Sequence, residues 1–211
     1  MKDSIIVLGA GGHAKVAIEI LRAAGYQVGY CVGGSDSPKE CMGVPVLRDG
    51  DNLLKLHDAG YSMIFPAIGS NYARQRAATH AVKLGFTLVN AISPYAILSP
   101  SLVLGKGIAI MSGAIINADC NIEDLVIINT GATVDHDCHI GNGAHLGPQC
   151  ALAGNVKVGQ GAFLGIGTVV IPCIAIGNYS VIGAGSVVIL DVPPSCTSAG
   201  NPAKLLLKES R

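Results

Sequence analysis

Apolar residues recur at every sixth position through the second half of the chain. The series runs from Ile92 through Leu98, Leu104 and Ile110 to Ile182 and Val188, and each of its seventeen members is Ile, Leu or Val. A second column follows four residues after each of these. From Ala114 to Ser186 it holds Ala, Cys, Val, Thr, Ile and Ser, all small or branched. An amphipathic helix repeats at about 3.6 residues and a half-buried strand at about 2. A period of six with two inward columns fits neither. It predicts a solenoid whose flat faces are each one hexad long. Three faces close a coil, so residues eighteen apart stack. From Leu98 to the end of the hexad at Ile182 the chain makes five coils. At roughly 4.8 Å per coil the prism is about 25 Å long.

Residues 1–90 follow a different grammar. Ser4–Leu8 reads as a buried strand, and Gly9-Ala10-Gly11-Gly12-His13-Ala14 as a tight glycine turn. From Lys15 to Ala24 the apolar residues mark one helical face, and Gly25 ends it. Gln27–Val32, Val44–Leu47, Met63–Ile68 and Thr87–Val89 read as strands, with helices at Asn52–Asp58 and Asn71–Lys83. Such alternation predicts a small parallel sheet with helices on both faces. The expected division is therefore a Rossmann-like α/β domain at 1–90 and an all-β solenoid at 91–211. A solenoid exposes unpaired backbone at each end. The first domain is expected to cover one end and the C-terminal segment the other, with a helix over Ala203–Glu209.

Composition narrows the partners. There are 14 basic and 14 acidic residues, so no electrostatic footprint for nucleic acid or anionic lipid is present. No apolar run approaches the ~20 residues of a membrane span. The start lacks a signal peptide's cleavage site, and a cytoplasmic protein is expected. The seven Cys form no CxxC, which argues against zinc and against a disulfide framework. Cys120, Cys138 and Cys150 fall in the inward column, where a thiol acts as a small hydrophobe.

The hexads resemble the left-handed parallel β-helix of the hexapeptide-repeat acyltransferases over about residues 92–204, and the handedness comes from that resemblance. Ala199-Gly200-Asn201-Pro202-Ala203-Lys204 is similar to that family's closing motif. Val7–Ala14, Phe65–Asn71, Val134–Gly141 and Ala153–Gly159 resemble the sugar acyltransferases of the bacillosamine N-acetyltransferase group, often described as NeuD-like sialic acid O-acetyltransferases. The resemblance implies acetyl-CoA as co-substrate, a homotrimer with sites between adjacent subunits, and no metal. It further implies that His145, Ile166 and Ala184 contact acetyl-CoA and that Asn129 lies near the catalytic centre. It assigns Gly11, Gly12, His13 and Gly69 to the nucleotide sugar.

Moving an acetyl group from a thioester to an amine needs a proton acceptor, an oxyanion donor and alignment. His136 suits the first, because imidazole titrates near neutrality. Asp137 follows directly and can fix its tautomer. Side chains alternate along a strand, so the two must meet at a coil corner or through a neighbouring subunit. A solvated surface histidine is the plain alternative. His139, ahead of Ile140, is expected to be structural or exposed. Gly154 lies one coil beyond His136, where a glycine lets a ligand approach the main chain.

Gly9–Ala14 satisfies G-x-G-x-x-[GA] between a strand and a helix. Backbone N–H groups there can hold the diphosphate of NAD or of a sugar nucleotide. NAD binding calls for an acidic residue about 20 positions on. Gly33 and Gly34 stand there instead, where the resembling enzymes often carry acidic residues, and Asp36 is a substitute for them. The expected function is N-acetylation of a UDP-linked 4-amino-4,6-dideoxy sugar by direct transfer, with His136 as base. The rivals are sugar O-acetylation, a zinc hydratase built on His136, His139 and His145, and a non-catalytic nucleotide-sugar sensor.

Overall fold

A computed structural model of the protein describes residues 2–48 and 52–206. The chain divides into two compact units, Met1–Pro94 and Tyr95–Arg211.

The first unit alternates strand and helix. Its elements are β1 (Lys2–Leu8), α1 (Gly12–Ala23), β2 (Gln27–Gly33), β3 (Glu40–Cys41), β4 (Val44–Arg48), α2 (Asn52–Asp58), β5 (Tyr61–Pro66), α3 (Asn71–Lys83) and β6 (Thr87–Leu88). The sheet runs β3-β4-β2-β1-β5-β6. It is parallel except at β3, which pairs antiparallel with β4. The chain leaves β1 toward β2 on one side and later builds β5 and β6 on the other. Right-handed crossovers then put α1 and α3 on opposite faces. Ile6, Leu8, Val32, Leu53, Ile64 and Phe86 pack into one apolar cluster.

Two local details differ from expectation. Helix α1 starts at Gly12, three residues ahead of Lys15, so Gly12 and His13 lie in its first turn. A helix start needs no apolar periodicity, which is why the pattern of buried residues missed it. The β3–β4 hairpin was also invisible, because its turn residues are Met42 (φ 52) and Gly43 (φ 76) rather than the usual Asn-Gly.

The second unit is a parallel β-helix of two-residue strands. Ile115–Ile116 pairs with Thr133–Val134, and Thr133–Val134 with Ala151–Leu152, each eighteen residues on. Three sheets form the three faces. The six-residue column supplies the second residue of each strand and points inward: Ile110, Ile122, Leu146 and Ile182 are 0% exposed. The second column is buried too. Its polar members bond to the main chain three residues back, as Thr168 Oγ1 does to Gly165 O at 2.8 Å and Ser186 Oγ to Gly183 O at 2.6 Å.

Each hexad from Leu104 to Ile182 ends in a corner, and its fourth residue takes a left-handed conformation. Along one edge these are Asp119, Asp137, Asn155 and Cys173, with φ of 58, 59, 59 and 64°. Asp and Asn tolerate that region better than other side chains. The C-terminus differs from the expected helix. Lys204–Leu206 is a strand, antiparallel to Thr197–Ala199, and residues 207–209 lie outside the described residues. The last parallel strand offers a row of unpaired N–H and C=O groups, and a hairpin satisfies them as a helix would not.

Candidate active site

His136 and Asp137 share a corner of the β-helix, between the strands Thr133–Val134 and His139–Ile140. The positive φ of Asp137 breaks the in-and-out alternation and turns its carboxylate back toward the preceding ring. The result is a contact of 2.7 Å between His136 Nδ1 and Asp137 Oδ2 within one chain. A carboxylate accepts, so Nδ1 carries the proton and Nε2 presents its lone pair. The two side chains are 60% and 59% exposed, which leaves Nε2 open to a ligand.

Asp135 completes the group, and sequence reasoning passed over it. Its Oδ1 accepts from Asn117 Nδ2 and from the His136 backbone N–H, both at 2.9 Å. Those bonds, Asn117 first, hold its carboxyl below the usual range. The His136 pKa is raised, first by the hydrogen bond to Asp137 and then by the charge of Asp135. The signal in the sequence was an acidic residue on both sides of His136.

Gly154 lies under the imidazole. A Cβ on it would stand 2.6 Å from His136 Cε1 and 2.7 Å from Nε2. The glycine therefore makes room for the ring itself, a use the expected ligand approach did not include.

A second group occupies the corner at the other end of the same face. Asn129 Oδ1 accepts from the Thr130 N–H at 2.8 Å, so its amide nitrogen faces His145 Nε2 at 3.1 Å and donates to it. This leaves the proton of His145 on Nδ1. The ring of His145 meets Phe163 edge-on at 5.2 Å and is largely buried. Ile166 and Ala184 are exposed, follow one coil apart along that corner, and are joined by the bond from Gly185 N to Ile166 O at 2.8 Å. The structure thus sorts the expected residues onto two edges. One edge carries His136, Asp137 and Gly154, and the other Asn129, His145, Ile166 and Ala184. His139 stands on the next face, in an ion pair with Glu123 at 3.1 Å. A zinc site would need His136, His139 and His145 to converge, and they occupy three different sides. Among the described residues no group of three or more His, Cys, Asp or Glu is arranged to hold a metal ion.

In the first unit, Gly11 caps α1 and Gly12 and His13 begin it, so the first N–H groups of the helix face the carboxyl end of the sheet. Gly9 (φ 110) has no space for a Cβ, which would fall 2.6 Å from Ala67 O. Here β1 lies between β2 and β5, the point where strand order reverses and open α/β sheets bind ligands. His13 is mostly buried and its pKa is pushed down to about 4 by burial and by Arg74. It is a neutral ring at the helix start, so it brings no charge to a phosphate.

Arg74 was not foreseen. It is 1% exposed, and it donates to Ile68 O at 2.9 Å, Gly69 O at 3.2 Å and Asn71 Oδ1 at 2.9 Å. It ties down the loop holding Gly69, which is itself exposed. Asp36 is exposed and accepts from Ser35 Oγ at 3.0 Å. A cavity of about 290 Å³ opens at this end of the sheet, lined in part by Gly9, Ala10, Gly33, Gly34 and Ile68. Asp36 is not among its lining residues.

Residues 4–81 match the family model described as the PglD N-terminal domain. Perosamine N-acetyltransferase from Caulobacter crescentus, solved as a histidine-to-asparagine variant with CoA and GDP-perosamine, is 50% identical. That match covers 97% of each chain with a TM-score of 0.95. The acetyltransferase domain of PglB from Neisseria gonorrhoeae FA1090, solved with acetyl coenzyme A, is 36% identical over 98% of this chain and 100% of that one, with a TM-score of 0.90. WeeI from Acinetobacter baumannii AYE, 24% identical with a TM-score of 0.86, shares the fold. Identity of 36–50% over nearly the whole length, together with the matching α/β unit and parallel β-helix, places the chain in one family: it belongs to the hexapeptide-repeat sugar N-acetyltransferases.

Proposed function

We propose that the protein transfers the acetyl group of acetyl-CoA to the amino group of a nucleotide-linked 4-amino-4,6-dideoxy sugar. The amine nitrogen attacks the thioester carbon as its proton passes to His136 Nε2. The carbonyl oxygen gains charge, the C–S bond breaks, and the proton is returned to the departing thiolate. The amide and free CoA are the products, with no acyl-enzyme. Asp137 holds the tautomer that leaves Nε2 bare and stabilises the imidazolium. The single observation that carries this reading is the 2.7 Å contact of His136 Nδ1 with Asp137 Oδ2, with the ring seated on Gly154.

The sequence pointed to UDP as the nucleotide. We take GDP instead, because the 50%-identical relative was solved with GDP-perosamine. Gly11, Gly12 and the loop at Gly69 would hold the diphosphate through main-chain groups.

The two edges imply how the site is completed. His136 and His145 stand at opposite ends of the Thr133–Val134 face, a span of six to seven extended residues, or about 20 Å. One chain cannot bring them to one acetyl group. The outward positions of the face between them are Ile97, Ile115, Thr133, Ala151, Val169 and Val187, all uncharged. Three copies meeting through this face bring the His136 edge of one chain to the His145 edge of the next, with acetyl-CoA between.

A thiol-release assay tests the reading. Acetyl-CoA with a GDP-linked amino sugar should release CoA, and the matching 4-hydroxy sugar should release little. Release with the hydroxyl acceptor alone would make the protein an O-acetyltransferase. Nucleotide-sugar binding without release would leave a sensor.

A further inference from the structure

The edge that bears His136 changes character along the β-helix axis. On the coils before it the exposed residues include Ser101, Asn117, Ala118 and Asp119. On the coils after it they are Ile171, Pro172, Cys173 and Asn155, whose amide donates to Cys173 Sγ at 3.6 Å. The polar stretch suits the hydroxyls of a sugar, and the more apolar one suits the arm of a thioester carrier. The imidazole leans toward the later coils, because it is seated on Gly154. No ring fills the equivalent place one coil back, because residue 118 is alanine.

Asp119 borders that place. Its φ of 58° matches the 59° of Asp137. The backbone turn that aims the Asp137 side chain back toward residue 136 therefore aims the Asp119 side chain back toward residue 118. The main chain here is pinned. The Asp119 N–H donates to Ser101 Oγ at 2.9 Å, and the Asp137 N–H donates to Ala118 O at 3.0 Å. Asp137 is engaged by His136, and Asp135 by Asn117. Among the described residues, the carboxylate of Asp119 alone of these three has no partner.

The spacing fits one piece of sugar chemistry. Adjacent coils stand about 4.8 Å apart. His136 Nε2 reaches an amine across about 3 Å, and a carboxylate reaches a hydroxyl across about 2.7 Å. On a pyranose ring, the hydroxyl on the carbon next to the amine falls between those two contacts. We propose that Asp119 accepts a hydrogen bond from the hydroxyl on C3 of the sugar, and so selects acceptors in which that hydroxyl is free beside the 4-amine. This rests on the reading of the protein as a 4-amino sugar acetyltransferase. A carboxylate can only accept, so it demands a donor at that position. A 3-deoxy sugar leaves the charge unmatched, and a substituted oxygen has no proton to give.

Thiol release tests it with the GDP-linked 4-amino-4,6-dideoxy sugar and its 3-deoxy analogue, each offered to wild type and to Asp119→Gly. Glycine keeps the left-handed turn and removes the carboxylate. Wild type should lose about 10-fold in kcat/KM on the 3-deoxy analogue, and Asp119→Gly about 10-fold on the 3-hydroxy sugar, both through KM. On the analogue the variant should lose nothing further, which marks the two changes as one interaction. The KM for acetyl-CoA and the acid limb of the pH profile should stay in place, since Asp119 is not among the groups that raise the His136 pKa. Thermal unfolding verifies that the variant is folded, and Asp119→Asn, which also tolerates the turn, completes the same cycle if it is not. An unchanged KM for the sugar, or losses from variant and analogue that multiply, overturns the role of Asp119 and leaves the transferase reading standing. No thiol release from wild type with the 3-hydroxy amino sugar overturns both.

Discussion

The seat of the imidazole on Gly154 allows a test that separates chemistry from folding. In Gly154→Ala the new methyl would lie 2.6 Å from His136 Cε1 and 2.7 Å from Nε2. Carbon atoms in contact prefer about 3.5–4.0 Å, so the ring must move by about 1 Å. It can do so cheaply, because its side chain is 60% exposed and the atoms nearest the new methyl belong to the ring itself rather than to backbone. Moving it breaks the 2.7 Å bond to Asp137 and carries Nε2 off line. A misplacement of ~1 Å at a reacting group costs on the order of 10²-fold. The expected result is kcat reduced about 10²-fold, with the melting temperature nearly unchanged and the KM for the amino sugar intact. Gly141→Ala supplies the contrast. Its Cβ would meet Gln160 N at 2.7 Å and Val158 O at 3.0 Å, both main-chain atoms of the next coil, so it should lower stability and leave the turnover of surviving protein alone. Full activity in Gly154→Ala would refute the argument that His136 works from its observed position.

Other expectations follow from the same geometry. His136→Ala should cost ~10²–10⁴-fold in kcat with the fold retained, measured by thiol release and circular dichroism. The His136 pKa is raised by Asp137 and Asp135, and the neutral ring is the base. Activity should therefore fall as pH drops through a value above 6.5, and Asp137→Asn should move that limb to lower pH. Chains carrying His136→Ala and His145→Ala should each be inactive alone, yet regain about a quarter of wild-type activity when co-assembled at equal amounts, because one interface in four then pairs two intact edges. No recovery would place both histidines in one chain's site, and activity in either variant alone would make that histidine dispensable. Arg74→Met removes donors from Ile68 O, Gly69 O and Asn71, and should lower the stability of the first unit by roughly 3 kcal/mol while raising the KM for the sugar nucleotide. Cys138→Ser should be tolerated within about 1 kcal/mol, since a hydroxyl in this column can bond three residues back, as Ser180 does to Gly177 O.

The β-helix was legible because its rule is short and repeats. An aliphatic residue every six and a small one four later already name the faces, the inward columns and the eighteen-residue register of pairs such as His139↔Lys157. The α/β unit was legible in outline for a related reason: buried strands such as Val44–Arg48 carry their own apolar runs. The misses fall where structure depends on closure rather than pattern. Lys204–Leu206 became a strand because an open edge lay beside it, which local helical preference does not register. Arg74 carried no motif, and only the fold shows that its side chain runs inward to the loop at Gly69. His136 and Asp137 could be named from the sequence, but whether they meet within one chain depended on the left-handed φ of Asp137. Asn129 and His145 have a hydrogen bond across sixteen residues that no linear spacing rule describes.

The edge that carries His136 is a ladder, and its rungs are not independent. One rung earlier stand Ala118 and Asp119, the same dyad without its imidazole, with the carboxylate at the same left-handed φ. A histidine introduced at 118 would find its orienting acid already present. It would also find a Cβ at residue 136, where the ring of His136 finds only the bare Cα of Gly154. An imidazole on one rung demands a bare Cα on the next, so this edge can house a base on alternate rungs and no more often. Relocating the reaction by one coil therefore takes a paired exchange, Ala118→His with His136→Gly: the first change alone gives a ring with no seat, and the second alone leaves the ladder without a base.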